Sequence, residues 1–107
     1  MNDVLDAEQM KRLRGQVLEI LYANHRAQRP RLDSLTLWGA LRRLLWDLGR
    51  NDVRTVLQDL KRRGYVSYTT QRDKDTNRET MSQIMIEPKG TDLVEGPPPT
   101  DDAIRLD

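Results

Sequence analysis

The chain has 107 residues, 33% of them charged, which predicts one small domain with a limited hydrophobic core. It has no cysteine, which excludes disulfides and thiolate metal sites, and it has no 18-residue apolar run that would predict a membrane span. The net charge of +1 hides a segregation: residues 11–90 hold 17 of the 18 Lys and Arg residues but nine of the 17 acids, for a net charge of +8. A basic body with acidic ends indicates a polyanionic partner, and an ordinary solvated surface is the alternative.

The first predicted helix covers residues 6–26. Asp6 with Gln9 three residues later is typical of a capping box. Pro30 lies beyond the helix end, and a short strand is expected near Ser34 and Leu35. The apolar residues that recur at helical spacing are Met10, Leu13, Val17, Ile20 and Leu21.

Two further helices follow, separated by a tight turn. The second covers residues 37–48, with Thr36 as its expected N-cap and Gly49 at its end. The third has Asn51 as its expected N-cap and Gly64 at its C-terminal stop. Two short helices joined by a few residues that include glycine indicate a helix-turn-helix. The apolar stripe of the third helix is Val53, Val56, Leu57 and Leu60.

A β-hairpin is predicted after the third helix. Residues 65–70 and 81–86 are rich in β-branched, aromatic and other apolar side chains, and the polar run RDKDTNRE joins them. Pro88 is expected to open a short last helix. The three prolines of GPPPTDDAIRLD cannot continue a helix, so a disordered acidic tail is predicted over residues 96–107.

This element order is that of an α+β winged helix-turn-helix, with three helices, a β-hairpin wing and a short C-terminal helix over residues 10–95, after an N-terminal arm over residues 1–9. The sequences RRGYVSY, the charged hairpin tip and IEPKGTDLVEG resemble the recognition helix, wing and post-wing turn of MarR-like transcriptional regulators. Glu87 stands where those proteins usually have threonine, and the chain is too short for their long dimerising helices. In its small size it is similar to stand-alone winged-helix proteins of bacteria and phages, including Mu-like prophages.

The third helix carries a polar stripe opposite its apolar stripe. Its side chains are of the types that hydrogen-bond base edges, with arginine suited to guanine and the amides to adenine. Lys61 and Arg63 flank this stripe and are expected to contact phosphates or to stabilise the helix end by their charge. The alternative is the solvated polar face that any amphipathic helix has. The stripe consists of Asn51, Arg54, Thr55, Gln58 and Arg62.

The hairpin tip carries Arg72, Lys74 and Arg78. The MarR-like resemblance implies that such a wing lies along the DNA backbone or enters the minor groove, where a narrow A-tract attracts arginine. The intervening Asp73, Asp75 and Glu79 count against uniform phosphate binding, and the resemblance implies that one of the three orients an arginine. The alternative is a solvated hairpin turn.

Metal, cofactor and catalytic sites find little support. The run from Asp73 to Asn77 copies the start of a calcium loop, but Arg78 replaces the required glycine and Ile84 the required glutamate. His25 is the single histidine and has no second ligand nearby. No nucleophile–base pair or glycine-rich phosphate loop occurs, so we expect neither an enzyme nor a cofactor.

Trp46 falls on the outer side of the second predicted helix. A tryptophan outside the core often marks an interface, whereas the alternative is that it packs under the connector or the N-terminal arm. Val4 and Leu5, before the first helix, are a second candidate interface, as an arm exchanged between two copies.

The expected function is sequence-specific binding of double-stranded DNA by a cytoplasmic, nucleoid-associated transcriptional regulator of bacterial or phage origin. A homodimer is expected, because one such module makes few contacts and two half-sites would be needed. The alternatives are a winged-helix adaptor for protein interaction and a phage protein that captures a host factor. No membrane partner and no small molecule is evident.

Overall fold

The computed structural model describes residues 6–43, 48–96 and 101–106 of the chain. Within these ranges the fold is α+β, with four helices and one two-stranded antiparallel hairpin. None of the helices in these ranges is both long and apolar enough to span a membrane. The elements are α1 (Ala7–Arg26), α2 (Ser34–Arg42), α3 (Arg50–Arg62), β1 (Val66–Arg72), β2 (Glu79–Ile86) and α4 (Pro88–Glu95).

The start of α1 confirms the predicted capping box. The Gln9 N–H donates to Asp6 Oδ1 at 2.8 Å, and the Asp6 N–H donates to Gln9 Oε1 at 2.9 Å. Just beyond the end of α1, Gln28 has a φ of 55°, and its N–H donates to the carbonyl of His25. Backbone and side chains thus satisfy groups that a helix end leaves without intrahelical partners.

The start of α2 differs from the prediction, because the helix begins at Ser34 and Asp33 is its N-cap. The Asp33 carboxylate accepts the Thr36 N–H at 2.7 Å, so Thr36 lies inside the first turn. Instead of the strand expected near residue 34, the structure has a single β-bridge two residues earlier, at Leu32. In this bridge the Ile84 N–H donates to Leu32 O at 2.8 Å. Residues 44–47, with Leu44, Leu45 and Trp46, lie outside the described residues.

The N-cap of α3 is Gly49 and not Asn51. The Gly49 N–H donates to the Asp52 carboxylate at 2.9 Å, and Asn51 is exposed in the first turn. The predicted stop at Gly64 is confirmed, with a φ of 84° that suits glycine. The N–H groups of Gly64 and Tyr65 donate back to the carbonyls of Lys61 and Leu60, both at 2.9 Å, which is the Schellman pattern.

The core lies between α1, α2, α3 and one face of the hairpin. A bulge in β2 at Gln83, whose φ is 54°, lets the buried Met81 and Ile84 share that face although they are three residues apart. Ile84 and Ile86 are both buried. The principal core side chains are Leu13, Val17, Leu18, Leu21, Leu37, Leu41, Val53, Val56, Leu57, Leu60, Val66, Met81, Ile84 and Ile86.

Residues 101–106, which we name the C-terminal segment, lie against α1, whereas the sequence predicted a disordered tail there. Ile104 is buried, with 8% of its surface exposed, and the Arg105 N–H donates to Lys11 O at 3.1 Å. The backbone of the segment approaches so closely that a Cβ placed on Gly15 would lie 1.8 Å from Arg105 O. A side chain at residue 15 is therefore incompatible with this contact.

We expect Gly15→Ala to release the C-terminal segment, and Gly39→Ala is the matched control. Gly39 is exposed in α2 with nothing within 4 Å of an added Cβ, so alanine there should stabilise the fold by about 1 kcal/mol. At residue 15 the same helical gain is offset by loss of the Ile104 contacts. Hydrogen exchange of residues 101–106 should accelerate in Gly15→Ala only. Unchanged protection in that variant would contradict the contact.

Candidate nucleic-acid interface

A concave groove of about 920 Å³ opens between the N-terminal ends of α2 and α3 and the distal half of the hairpin. It forms because α3 and the hairpin are consecutive and pack on the same core, which leaves a cleft on their outer side. Its lining residues include Ser34, Leu35, Gly49, Arg50, Asn51, Arg54, Arg72, Asp73, Thr76, Asn77, Arg78, Glu79, Thr80 and Met81.

The groove brings together four of the side chains predicted to contact DNA. Asn51 and Arg54 come from α3, and Arg72 and Arg78 come from the hairpin. Asn51, Arg72 and Arg78 are exposed, and the Arg54 side chain is 41% exposed. Helix and hairpin therefore present hydrogen-bond donors to the same space from two directions.

The remaining predicted residues on the outer faces are exposed but do not line the groove. Thr55 and Gln58 continue the exposed polar face of α3 toward its C-terminus, and Lys74 is exposed at the hairpin tip. The Lys61 ammonium lies 4.6 Å from the centre of the Tyr68 ring, so it is drawn toward β1.

Glu79 joins α3 to the hairpin inside the groove. Its carboxylate accepts a hydrogen bond from the Arg54 guanidinium and lies 3.6 Å from Arg72 Nη2. Arg72 Nη1 also donates to Asn77 Oδ1 at 3.1 Å. The Glu79 side chain is only 26% exposed, so water screens these contacts less than it screens an open surface pair. The guanidinium of Arg54 is thus held in place by a residue of the hairpin.

Arg63 lies away from the groove, in a cluster of charged side chains around Asp59. Its Nε donates to Asp59 Oδ2 at 3.0 Å, and its Nη1 lies 3.6 Å from Asp101 in the C-terminal segment. Arg63 therefore stabilises the chain internally and is not positioned with the other predicted phosphate contacts. Arg62 also donates to Asp59, but its side chain is 78% exposed and stays accessible.

Asp59 is buried, with 6% of its surface exposed, and three arginines surround it. Arg14 Nε of α1 lies 2.7 Å from Asp59 Oδ2 as an ion pair. Burial alone would raise the pKa of Asp59, but the hydrogen bonds from Arg62 and Arg63 and the charge of Arg14 outweigh it, so the pKa lies below its usual value. The carboxylate is therefore charged in the folded chain and fixes the C-terminal end of α3 to α1.

The C-terminal segment contributes a second acid next to this cluster. The Tyr65 hydroxyl donates to Asp101 Oδ2 at 2.6 Å, and Arg14 Nη1 donates to Ala103 O at 3.0 Å. Burial and the hydrogen bond to Asp101 raise the pKa of Tyr65 to about 12. Burial opposes the charge of Asp101 as well, but Tyr65, the Ala103 N–H and Arg63 lower its pKa overall. The segment is thus attached by charge as well as by Ile104.

Arg50 and Leu35 are two of the groove residues to which the sequence assigned no role at the interface. Arg50 lines the groove at the first position of α3, and Leu35 lines it from the first turn of α2 with 48% of its surface exposed. Arg50 carried a signal in the sequence, because a cation is unfavourable at a helix N-terminus unless something else uses it. Leu35 gave none, since its helix was expected to start later.

No group of three or more His, Cys, Asp or Glu side chains within the described ranges could hold a metal ion. His25 is exposed near the end of α1, beside a smaller depression of about 270 Å³ at the base of β2. The candidate interface residues Trp46, Val4 and Leu5 lie outside the described residues.

No protein-family model matches this chain, and neither does a curated protein or a solved structure.

Proposed function

We propose that the chain is a winged helix-turn-helix protein that binds double-stranded DNA with sequence specificity, as a transcriptional regulator of bacterial or phage origin. In this proposal α3 is the recognition helix in the major groove, and the hairpin is the wing on the backbone or in the minor groove. The order of helices and hairpin and the Leu32–Ile84 bridge support it, since they are compatible with this fold.

The observation that carries the proposal is the convergence of arginines on one concave face. Arg50 and Arg54 of α3 and Arg72 and Arg78 of the hairpin line the same groove, together with Asn51. The hairpin also supplies two acids to the groove, Asp73 and Glu79. The arginines that line the groove outnumber these two acids. Guanidinium groups recognise phosphates and guanine edges, and a concave cationic surface concentrates anions.

The exposed face of α3 supplies the side chains for base reading. Asn51, Thr55 and Gln58 are exposed beside the groove or in continuation of it, and their amide and hydroxyl groups match base edges. The buried face of the same helix is fully occupied by the core, with Val56, Leu57 and Leu60 each 0% exposed. One face is thus free to read while the other holds the helix rigidly.

In the alternative, an interaction adaptor, the acidic tail and Trp46 would be the surfaces that bind a protein partner. Residues 101–106 of that tail are engaged by α1 and by Tyr65, which removes them as a free acidic segment. The groove, by contrast, is cationic, which an adaptor does not require. The described residues therefore favour DNA over a protein partner, although an acidic protein that captures the groove would share its salt dependence.

The proposal includes a homodimer and a cytoplasmic, nucleoid-associated location. One helix and one hairpin contact only a few base pairs, so specific binding at cellular salt needs two copies on paired half-sites. The stoichiometry of the complex with a selected duplex tests this part, and we expect two chains per duplex.

Fluorescence anisotropy with random-sequence duplex DNA, titrated across salt, tests the proposed function. We expect the affinity to fall steeply, with a log–log slope of about −4 to −6, because roughly five or six phosphates would be contacted. Arg72→Ala with Arg78→Ala should reduce the slope by about 2. The matched control is Arg12→Ala with Arg29→Ala, two exposed arginines that do not line the groove. Absence of binding to any duplex at low salt would refute the proposal.

A further inference from the structure

The indole ring of Trp38 in α2 is in contact with the guanidinium groups of two arginines. The guanidinium carbon of Arg42 lies 5.0 Å from the ring centre, and that of Arg50 lies 5.1 Å from it. The ring itself is fixed, because Trp38 is half-buried and its Nε1–H donates to Leu48 O at 2.9 Å. Arg42 is in the last turn of α2 and Arg50 in the first turn of α3. The Trp38 ring therefore contacts one arginine from each helix.

These arginines have no acidic partner among the described residues, in contrast to Arg54, Arg62 and Arg63. Both Arg42 and Arg50 are exposed. Stacking on an aromatic ring orients a guanidinium group while leaving its N–H groups free to donate in the ring plane. An arginine that is stacked and has no acidic partner in the described part of the chain is therefore prepared to bind an oxyanion with little further loss of conformational freedom.

The position of Arg50 works against helix stability. A positive charge at the first residue of α3 faces the positive end of the helix dipole, which is unfavourable. Asp52 in the same turn is already engaged by the Gly49 N–H. The structure thus holds two cations beside a helix N-terminus, an arrangement that is favourable when an anion is bound there.

Arg50 lines the groove from the first position of α3, whereas Arg72 and Arg78 line it from the hairpin. Asn51 and Arg54 of α3 line the same groove. A helix in the major groove has a phosphate backbone on each side, and the groove between them is about 12 Å wide. Cations on both sides of a reading helix match that arrangement, and they match a single strand less well.

We propose that Arg42 and Arg50, positioned by Trp38, form a second phosphate-contacting edge of the interface, opposite the hairpin, and so select duplex over single-stranded DNA. This inference rests on the proposed function and assigns the backbone contact that the hairpin cannot reach. Trp38 is a positioning residue in it and touches no base.

The test is the salt dependence of binding by Arg42→Ala with Arg50→Ala, measured by anisotropy on random-sequence duplex. We expect the log–log slope to fall by about 2, for two lost phosphate contacts. The preference for duplex over the corresponding single strand should fall with it. Arg12→Ala with Arg29→Ala, which removes the same charge elsewhere on the surface, should change the slope much less.

Positioning by Trp38 is tested separately with Trp38→Leu and Trp38→Phe. Leucine removes the aromatic surface and should lower affinity, whereas phenylalanine keeps a ring and should restore part of it. In the Arg42→Ala, Arg50→Ala background, Trp38→Leu should cause no further loss, which a purely structural role would not predict. Far-ultraviolet circular dichroism and the Tm verify the fold, and Trp38→Phe remains informative if leucine destabilises the core.

The outcomes separate the two proposals. If the wild-type chain binds duplex with a steep slope and the arginine pair behaves like the control pair, the second edge is refuted and the proposed function stands. If the wild-type chain binds no duplex at low salt, the proposed function fails and the second edge fails with it.

Discussion

Replacing Asp59 with asparagine is expected to lower the free energy of unfolding by about 2–3 kcal/mol, the largest loss of stability that we predict for a polar substitution in this chain. Asp59 is the shared acceptor for Arg14, Arg62 and Arg63, and its carboxylate is almost completely buried. Asparagine keeps the volume but removes the charge, so the Arg14 side chain, only 18% exposed, loses its counter-ion. Arg62 can turn into water because it is exposed, which keeps the loss below the roughly 3–5 kcal/mol typical of breaking a buried pair.

The same carboxylate predicts a dependence of stability on pH. The folded-state pKa of Asp59 is lowered, so its contribution is present above the unfolded pKa of about 3.9 and is lost as the pH falls through the folded value. Asp101 shifts in the same direction and adds to the loss. Stability should therefore be constant near neutral pH and should decline in acid, below about pH 4.

Urea denaturation of the wild-type chain and Asp59→Asn at pH 7 and pH 3 measures both effects. The difference in unfolding free energy should be large at pH 7 and should shrink at pH 3, because protonation of the carboxylate in the unfolded chain, with a pKa of about 3.9, reduces the stabilisation there. Asp75→Asn is the control, since Asp75 is exposed in the hairpin turn. Equal midpoints for Asp59→Asn and the wild type at pH 7 would contradict the structural role of the cluster.

The sequence predicted those features that depend on neighbours along the chain. The Asp6–Gln9 capping box, the apolar stripe of α3 and the stop at Gly64 each follow from residues within one or two helical turns, and each is present. The starts of α2 and α3 were misplaced by a few residues, because several residues near each start can cap a helix. At α3 the pairing of the Gly49 N–H with the Asp52 carboxylate decided between them.

Contacts between distant residues could not be predicted in this way. Three such contacts join elements whose relative position is set by the core. They are the salt bridge of Arg54 with Glu79, the ion pair of Arg63 with Asp101 and the close approach of the Arg105 backbone to Gly15. The groove brings together predicted residues of α3 and the hairpin, and the sequence assigned Arg63 to phosphate and left Arg50 unassigned. Charge partners decide which arginines are free, and those partners are remote in sequence.

Replacing Arg54 with alanine is expected to reduce the preference for a selected duplex over random DNA by roughly 10- to 100-fold, as the loss of one bidentate arginine–guanine contact would. Arg54 lines the groove on the exposed polar face of α3, and its guanidinium is held by Glu79, so we expect it to reach a base edge. Arg62→Ala, on the exposed end of the helix, should instead weaken all sequences similarly. Competition titrations of both duplexes against each variant measure the two effects, and an equal loss on every duplex for Arg54→Ala would contradict base reading.

Glu79→Gln tests which of two roles Glu79 has. Glu79 either orients the Arg54 guanidinium or only repels DNA by its negative charge. Removing the charge should raise the affinity for random duplex several-fold, because Glu79 faces the phosphates from inside the groove. It should also lower sequence preference, because Glu79 accepts the hydrogen bond that fixes the Arg54 guanidinium. Asp75→Asn removes one negative charge at the hairpin turn without touching Arg54, so it should raise affinity and leave preference intact. If Glu79→Gln matches that control in both respects, Glu79 acts only as a counter-charge, and the orientation of Arg54 must come from α3 itself.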